Sequence, residues 1–314
     1  MRKPPLICLV GPTACHKTEV SILLAKRLSG EIVSCDSVAV YRGFDVGAAK
    51  PTREERQGIA HHMLDCVNAD ETDFSVAAFK VMARDAIADI IERGSLPVLV
   101  GGSGLYVDAV LSPLDFATPS DSQIRGQLTE DYQSDPTAVF AHLQEHDPET
   151  ALRLHPNDAK RVIRALEVYL CSGRPLSDWS RSFVEAQQDG GVYHVIKIGL
   201  TLPRPQLYAR IEARVDAMMA RGLLAEVQAH RAKGYPRESS AMCAIGYEQM
   251  NRYLDGAYTL AEAVADIKQA TRNFAKRQIT WFRRDGNTHW FDLSQYAGVN
   301  EAAAEMENIF SSER

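Results

Sequence analysis

Apolar positions in the first hundred residues alternate between short runs of strand length and stripes of helical period. Leu6-Ile7-Cys8-Leu9-Val10, Glu31-Ile32-Val33-Ser34-Cys35 and Leu96-Pro97-Val98-Leu99-Val100 are the runs. Between the first two, Val20, Leu23, Leu24 and Leu28 mark one face of a helix over 17–28, with Gly30 as its stop signal. A second helix over about 75–93 precedes the third run. This alternation predicts an α/β fold built on a parallel sheet flanked by helices.

The rhythm changes near Pro113. From there to Gly191 the chain reads as helices with polar joints, over 121–133, 136–146 and 158–171, which predicts a helical insertion. Val192 to Leu200 returns to strand character, and Leu207, Ile211, Val215, Met218, Leu224 and Val227 fit helical spacing from 205 to 233, with further helices to Arg283. The expected organisation is therefore a first part of the α/β core over 1–112, the insertion over 113–191, and the rest of the core with C-terminal helices over 192–314. The chain lacks a run of about 18 apolar residues, which predicts no membrane span. With Met1-Arg2-Lys3-Pro4-Pro5 leading straight into the first strand, the expectation is a cytoplasmic protein, with monomer as the default state. The six cysteines form no C-x-x-C pair and read as reduced thiols, not as a zinc site or a disulfide framework.

The first strand runs into Gly11-Pro12-Thr13-Ala14-Cys15-His16-Lys17-Thr18, a nearly complete phosphate-binding loop. Such a loop aims backbone N–H groups and a helix N-terminus at an anion, while Lys17 neutralises it and Thr18 is placed to hold Mg²⁺. These residues are the candidate cofactor-binding set. The pattern expects glycine where His16 stands, and a side chain with a Cβ resists the positive φ that glycine takes freely. The expectation is that His16 shifts slightly out of the loop. Strand two delivers Asp36 and Ser37 to the same sheet edge, where open α/β sheets bind ligands. The third run ends there too, in Gly101-Gly102-Ser103-Gly104, without the acidic residue that a nucleotide hydrolase uses for its metal.

A formal net charge of −6, taken alone, argues against a nucleic-acid partner. Its distribution argues otherwise. Lys268, Arg272, Lys276, Arg277, Arg283 and Arg284 follow one another without an acid between them, interleaved with Phe274, Trp281 and Phe282, and Lys160, Arg161 and Arg164 form a second cluster. The alternative for each is a solvated helix face. His61-His62 invites a metal reading, but adjacent residues in an extended segment point apart, so a structural role is expected.

Taken with these residues, Asp36-Ser37, Val46-Gly47-Ala48-Ala49-Lys50-Pro51, Val100-Gly101-Gly102-Ser103-Gly104-Leu105-Tyr106, His155-Pro156-Asn157-Asp158, Ile245-Gly246-Tyr247 and Lys276-Arg277-Gln278-Ile279-Thr280-Trp281 resemble, in order, the landmarks of the tRNA dimethylallyltransferase family. The resemblance runs from about residue 6 to 292. It implies a phosphate-loop fold like that of P-loop NTPases, with no nucleotide hydrolysed. It also implies transfer of a dimethylallyl group from dimethylallyl diphosphate to N6 of adenosine 37, beside the anticodon, in tRNAs reading codons that begin with U. Diphosphate is released.

Asp36 is the candidate base for the N6 proton; its alternatives are a cap on the following segment or a water-mediated hold on Mg²⁺. Lys17, Thr18 and the loop N–H groups face the leaving diphosphate, with Ser103 reaching either diphosphate or amine or serving as a plain turn serine. By resemblance, contacts to the tRNA anticodon stem-loop fall on Asp36, Ser37, Val38 and Ala39, on Ser103 and Arg125, and on Lys160, Arg161, Val162, Ile163 and Arg164. They also fall on Cys243, Ala244, Ile245, Gly246, Tyr247 and Glu248, and on Lys276, Arg277, Gln278, Ile279, Thr280, Trp281, Phe282 and Arg283. For Gln278 and Trp281, core or cap roles are equally open. The chain departs from the family pattern at His16, at Cys243, where many members carry Arg or Gln, and at Glu248, where a basic residue commonly follows Gly-Tyr. The rival readings are an adenylate dimethylallyltransferase acting on AMP, a P-loop small-molecule kinase and a silent tRNA binder.

Overall fold

The computed structural model describes residues 3–70, 74–113, 121–180 and 191–313. It separates into two compact units, 1–110 with 193–314, and 111–192. The first holds a six-stranded sheet of β1 (Pro5–Val10), β2 (Gly30–Cys35), β3 (His61–His62), β4 (Leu96–Gly101), β5 (His194–Thr201) and β6 (His289–Asp292), in the order β3-β2-β4-β1-β5-β6. All five pairings are parallel. Parallel strands with covered faces need little polar alternation, which is why the central run Leu6 to Val10 is apolar throughout and fully buried.

Helices α1 (Lys17–Arg27) and α2 (Val76–Glu92) follow the sequence reading closely. The turn before β2 does not. Ser29, not Gly30, takes the left-handed conformation, at φ 52°, and Gly30 begins the strand, where a Cβ would stand 2.7 Å from the carbonyl oxygen of Leu96. After β4 comes α3 (Gly104–Leu111). The stretch 205–233, read as one helix, is two, α8 (Arg204–Ala220) and α9 (Leu223–Ala232), separated at Gly222 with φ 93°. The chain then forms α10 (Tyr247–Leu254), α11 (Leu260–Phe282) and, after β6, α12 (Val299–Glu313). Apolar faces of α1, α8 and α12 close one side of the sheet around Ile7, Leu9, Ile196 and Ile198. The two histidines of β3 hold structural partners, His61 Nδ1 with the Ile59 carbonyl at 2.9 Å and His62 Nε2 with Glu31 at 2.7 Å.

The second unit packs α4 (Ser122–Ser134), α5 (Pro136–His146), α6 (Pro148–Arg153) and α7 (Ala159–Ser172) around Leu128, Leu143, Val162 and Leu166. Each helix starts at an aspartate whose carboxylate accepts backbone N–H groups: Asp121, Asp135, Asp147 and Asp158. In two of them proline follows at the first helical position, where no N–H is missed. Asp147 is the most embedded of the four. Burial pushes its carboxyl up, but bonds from Thr150 and Ser177 outweigh that and hold it below the usual range. Of the described residues, no helix is long and apolar enough to cross a membrane.

Candidate functional site

The strand order β2-β4-β1 brings three C-terminal strand ends side by side, so the loops carrying Asp36, Ser103 and the phosphate-binding motif share one edge. Two glycines let neighbouring strand ends approach closely. A Cβ on Gly101 would stand 2.0 Å from the Cys35 carbonyl oxygen, and one on Gly11 would stand 2.6 Å from that of Leu200. Ser103 Oγ accepts a bond from the Ser37 N–H at 3.2 Å, which ties the loops after β4 and β2 together directly.

Within the phosphate loop, Lys17 Nζ donates to the carbonyls of Gly11 at 3.0 Å and Pro12 at 2.6 Å, so the ammonium bridges the start of the loop. Burial holds its pKa below the ordinary value. Cys15 beneath it is buried, and burial raises its thiol. Thr18 is exposed at the start of α1. His16 corrects the expectation stated for it. Its backbone stays in the loop and takes the glycine conformation, φ 62° and ψ 17°, while the imidazole turns outward, with Nδ1 2.6 Å from Glu19 and 3.3 Å from Arg210. A non-glycine residue in that region costs roughly 1 kcal/mol, and these exposed contacts counter part of it. His16→Gly should therefore change the KM for the phosphate-bearing ligand by less than about tenfold in steady-state kinetics, because relief of strain and loss of the contacts oppose each other.

Asp36 Oδ1 accepts the N–H groups of Val38 at 2.8 Å and Ala39 at 3.1 Å. It is thus a cap on its own loop, and the bonds fix the carboxylate while leaving Oδ2 for another partner. Two arginines of α8 were not foreseen. Arg210 Nε donates to the Ala14 carbonyl at 2.8 Å, bracing the loop from outside. The Nε of Arg214 is buried without a hydrogen-bond partner among the described residues. Burial pushes the Arg214 pKa down, Asp36 and Cys15 pull it back up, and the neighbouring Arg210 and Arg221 lower it further. A guanidinium whose Nε is buried and unsatisfied carries a desolvation cost that a bound anion would offset. One signal existed in sequence: Arg210 and Arg214 lie one turn apart, each immediately before or after a member of the apolar stripe Leu207, Ile211, Val215.

The remaining candidates divide by exposure. On α11, Lys276, Arg277, Thr280 and Arg283 just beyond it are exposed, whereas Phe282 and Gln278 are buried and Ile279 packs on the sheet core. Gln278 accepts from the Thr13 N–H and donates to the Gly102 carbonyl, each at 2.9 Å, and Trp281 Nε1 donates to Asp108 at 2.8 Å. Of the six basic residues read as one face, Lys268 and Arg272 pair with Asp216 and Glu212 of α8, so the exposed cations lie in the C-terminal part. In the 243–248 stretch, Cys243 and Glu248 are exposed, Ala244 and Ile245 half-buried, and Gly246 starts α10 at φ 98°. Tyr247 is buried, its hydroxyl donating to Glu226 at 2.5 Å. Glu226 also accepts the N–H groups of Asp45, Val46 and Gly47, so the Val46 to Pro51 landmark is a clamped loop. Side chains of Val162, Ile163, Tyr247, Gln278 and Phe282 are buried, beneath neighbouring residues that reach the surface.

In the second unit, Arg125, Lys160, Arg161 and Arg164 line a concavity of about 650 Å³. Glu167, fully buried, accepts from Arg125 and Arg164, each at 2.7 Å, and from the Asp121 N–H at 3.0 Å. Glu167→Ala would leave both guanidinium groups without this anchor. The expected cost is about 1 kcal/mol, read as a lowered denaturation midpoint, because the two arginines are partly exposed and regain water when their shared acceptor is removed. Among the described residues no cluster of three or more His, Cys, Asp or Glu offers an all-protein metal site.

Similarity to known proteins runs the length of the chain. The sequence model described as IPP transferase matches residues 39–285. A tRNA dimethylallyltransferase of Pelotomaculum thermopropionicum is 42% identical over 306 residues, 97% of this chain and 96% of that protein. One of Symbiobacterium thermophilum is 46% identical over 308 residues, 97% and 94% of the two chains. Among solved structures, the full-length tRNA isopentenylpyrophosphate transferase from Bacillus halodurans superposes with a TM-score of 0.73 at 41% identity, over 99% of this chain and 97% of that one. A eukaryotic dimethylallyltransferase captured acting on tRNA reaches a TM-score of 0.81 at 27% identity, covering 99% of this chain and 80% of its own.

Proposed function

This chain belongs to the IPP transferase family and transfers a dimethylallyl group to tRNA; we propose that its donor is dimethylallyl diphosphate and its acceptor N6 of adenosine 37, in tRNAs reading codons that begin with U. The observation that supports this reading best is the single sheet edge at which an anion-binding loop, a fixed carboxylate and the Ser103 hydroxyl meet. A phosphate loop alone serves many reactions. A loop joined to a carboxylate, with no acidic residue at the end of β4, suits displacement of a diphosphate better than hydrolysis of a nucleotide.

The donor's diphosphate lies on the N–H groups at the start of α1, with Lys17 and Arg214 against its charge. Adenine N6 is a weak nucleophile because its lone pair is delocalised into the ring. As N6 bonds to the allylic carbon, Asp36 Oδ2 takes its proton, and the carbon–oxygen bond to diphosphate breaks. Charge grows on the leaving oxygens, so donors already in place there lower the barrier more than they stabilise bound substrate. Mg²⁺ fits this arrangement, because the exposed Thr18 hydroxyl beside diphosphate oxygens is the sparse oxygen set it commonly takes; bound there it would neutralise further charge on the leaving group. Base 37 must leave its stack to reach Asp36. Lys276, Arg277 and Arg283 in the first unit, and Arg125, Lys160, Arg161 and Arg164 in the second, are suited to phosphates of the stem-loop. We place the enzyme in the cytoplasm with its tRNA.

The test is incubation with dimethylallyl diphosphate, Mg²⁺ and an unmodified anticodon stem-loop carrying adenosines at positions 36, 37 and 38, followed by nucleoside mass spectrometry. A mass gain of one dimethylallyl group on adenosine is expected. Modification of AMP but not of the stem-loop would overturn the assignment of the acceptor.

A further inference from the structure

The long basic helix and the phosphate loop meet through one buried amide. Gln278 lies 265 residues from Thr13 in sequence, yet its Oε1 accepts the Thr13 N–H and its Nε2 donates to the Gly102 carbonyl, each at 2.9 Å. The fit is close: a Cβ on Gly102 would stand 2.2 Å from that Nε2. One turn on, Trp281 does the same for the other neighbour of Ser103, its ring 2.3 Å from where a Gly104 Cβ would be and its Nε1 bonded to Asp108. Ser103 is thus flanked by two residues that α11 holds, and the phosphate loop is held by the first of them.

We propose that Gln278 is a positioning residue that couples RNA binding on α11 to donor binding in the phosphate loop. This rests on the reading that stem-loop phosphates engage α11 and diphosphate engages the loop. Lys276 and Arg277 immediately precede Gln278 on the exposed side of the helix, and Thr280 follows within the same turn. When RNA fixes those side chains, it also fixes the helix segment from which the amide reaches Thr13. The ordering that the loop needs to receive diphosphate is then already met, and the second ligand binds at lower entropic cost. Thr13 contributes through geometry. Its N–H is committed to Gln278, so diphosphate falls to the groups that follow it, from Ala14 to Thr18.

The experiment is isothermal titration of the full chain with inorganic diphosphate, with Mg²⁺ present throughout, in the absence and presence of saturating stem-loop. The native chain should bind diphosphate about tenfold more tightly with stem-loop present, and stem-loop more tightly by the same factor with diphosphate present, since coupling is reciprocal. Gln278→Met keeps the size of the side chain and removes both bonds. It should bind stem-loop alone within about twofold of native, while the coupling factor falls to about one and the donor KM rises without an equal loss in kcat. Gln278→Glu sets an oxygen against the Gly102 carbonyl, and that repulsion displaces the carboxylate from Thr13 as well; it should lose the coupling too, and guards against a folding defect in the first variant, which thermal melting will report. The proposal is overturned if the native chain binds its two ligands independently, if either folded variant keeps the native factor, or if both folded variants lose stem-loop affinity in the absence of diphosphate. A native chain that binds neither ligand would instead overturn the reading of the site on which the proposal rests.

Discussion

Asp36→Asn should lower kcat by about a thousandfold while the protein folds and binds RNA as before. The amide oxygen of asparagine can accept the N–H groups of Val38 and Ala39 as Oδ1 now does, so the loop after β2 keeps its shape. What disappears is a basic atom at the position of Oδ2. Asp36→Ala separates the two roles of the carboxylate, because it loses the cap as well, at a further cost of about 1 kcal/mol in stability. Single-turnover kinetics with saturating donor and stem-loop, beside thermal melts of both variants, read each effect on its own axis. If Asp36→Asn retained a single-turnover rate within roughly threefold of native, the carboxylate would be a cap alone and the base would have to be sought elsewhere.

Most of the frame that places Asp36 was legible in the sequence because it rests on local signals. Strands β1, β2 and β4 are apolar runs, the loop after β1 carries its own motif, and the four aspartates of the second unit announce their helices by capping chemistry. The parts that escaped depend on what lies opposite in space. β6 is only four residues long, and it pairs beside Gly199, where a Cβ would stand 2.7 Å from the Trp290 ring; nothing in a tetrapeptide of mixed polarity reveals that partner. Val162, Ile163, Tyr247 and Phe282 sit within stretches that carry basic or polar surface residues, and only the fold shows that these four are buried. Gln278 reads as one more polar residue on a basic helix until the fold brings Thr13 to it. His16 shows the converse case. The motif identified the strained position correctly, but not that an imidazole would turn to Glu19 and Arg210 and leave the loop backbone intact.

Arg214 was hidden for the same reason, and it carries the second large expectation: Arg214→Met should make the ligand-free protein more stable and the enzyme much worse. Replacing a half-buried guanidinium whose Nε is buried without a partner with an apolar side chain of similar length removes a desolvation cost, so the ligand-free melting point should rise, by the equivalent of about 1 kcal/mol. On the proposed reading the same charge faces the leaving diphosphate, and kcat/KM for the donor should then fall by about 10² to 10³. Diphosphate at a concentration 100 times the native dissociation constant should stabilise the native protein by about 2.7 kcal/mol. A variant with hundredfold weaker binding would gain only about 0.4 kcal/mol at that concentration. Arg214→Lys should recover part of the binding and little of the rate, since an ammonium supplies charge without the planar fork of donors. A less stable variant with unimpaired donor kinetics would mean that Arg214 holds α8 in place and never meets the diphosphate. The opposed signs matter because a residue that costs the empty protein stability points to something the empty protein does not contain, and under the proposed reaction that is the negative charge released when the allylic bond breaks.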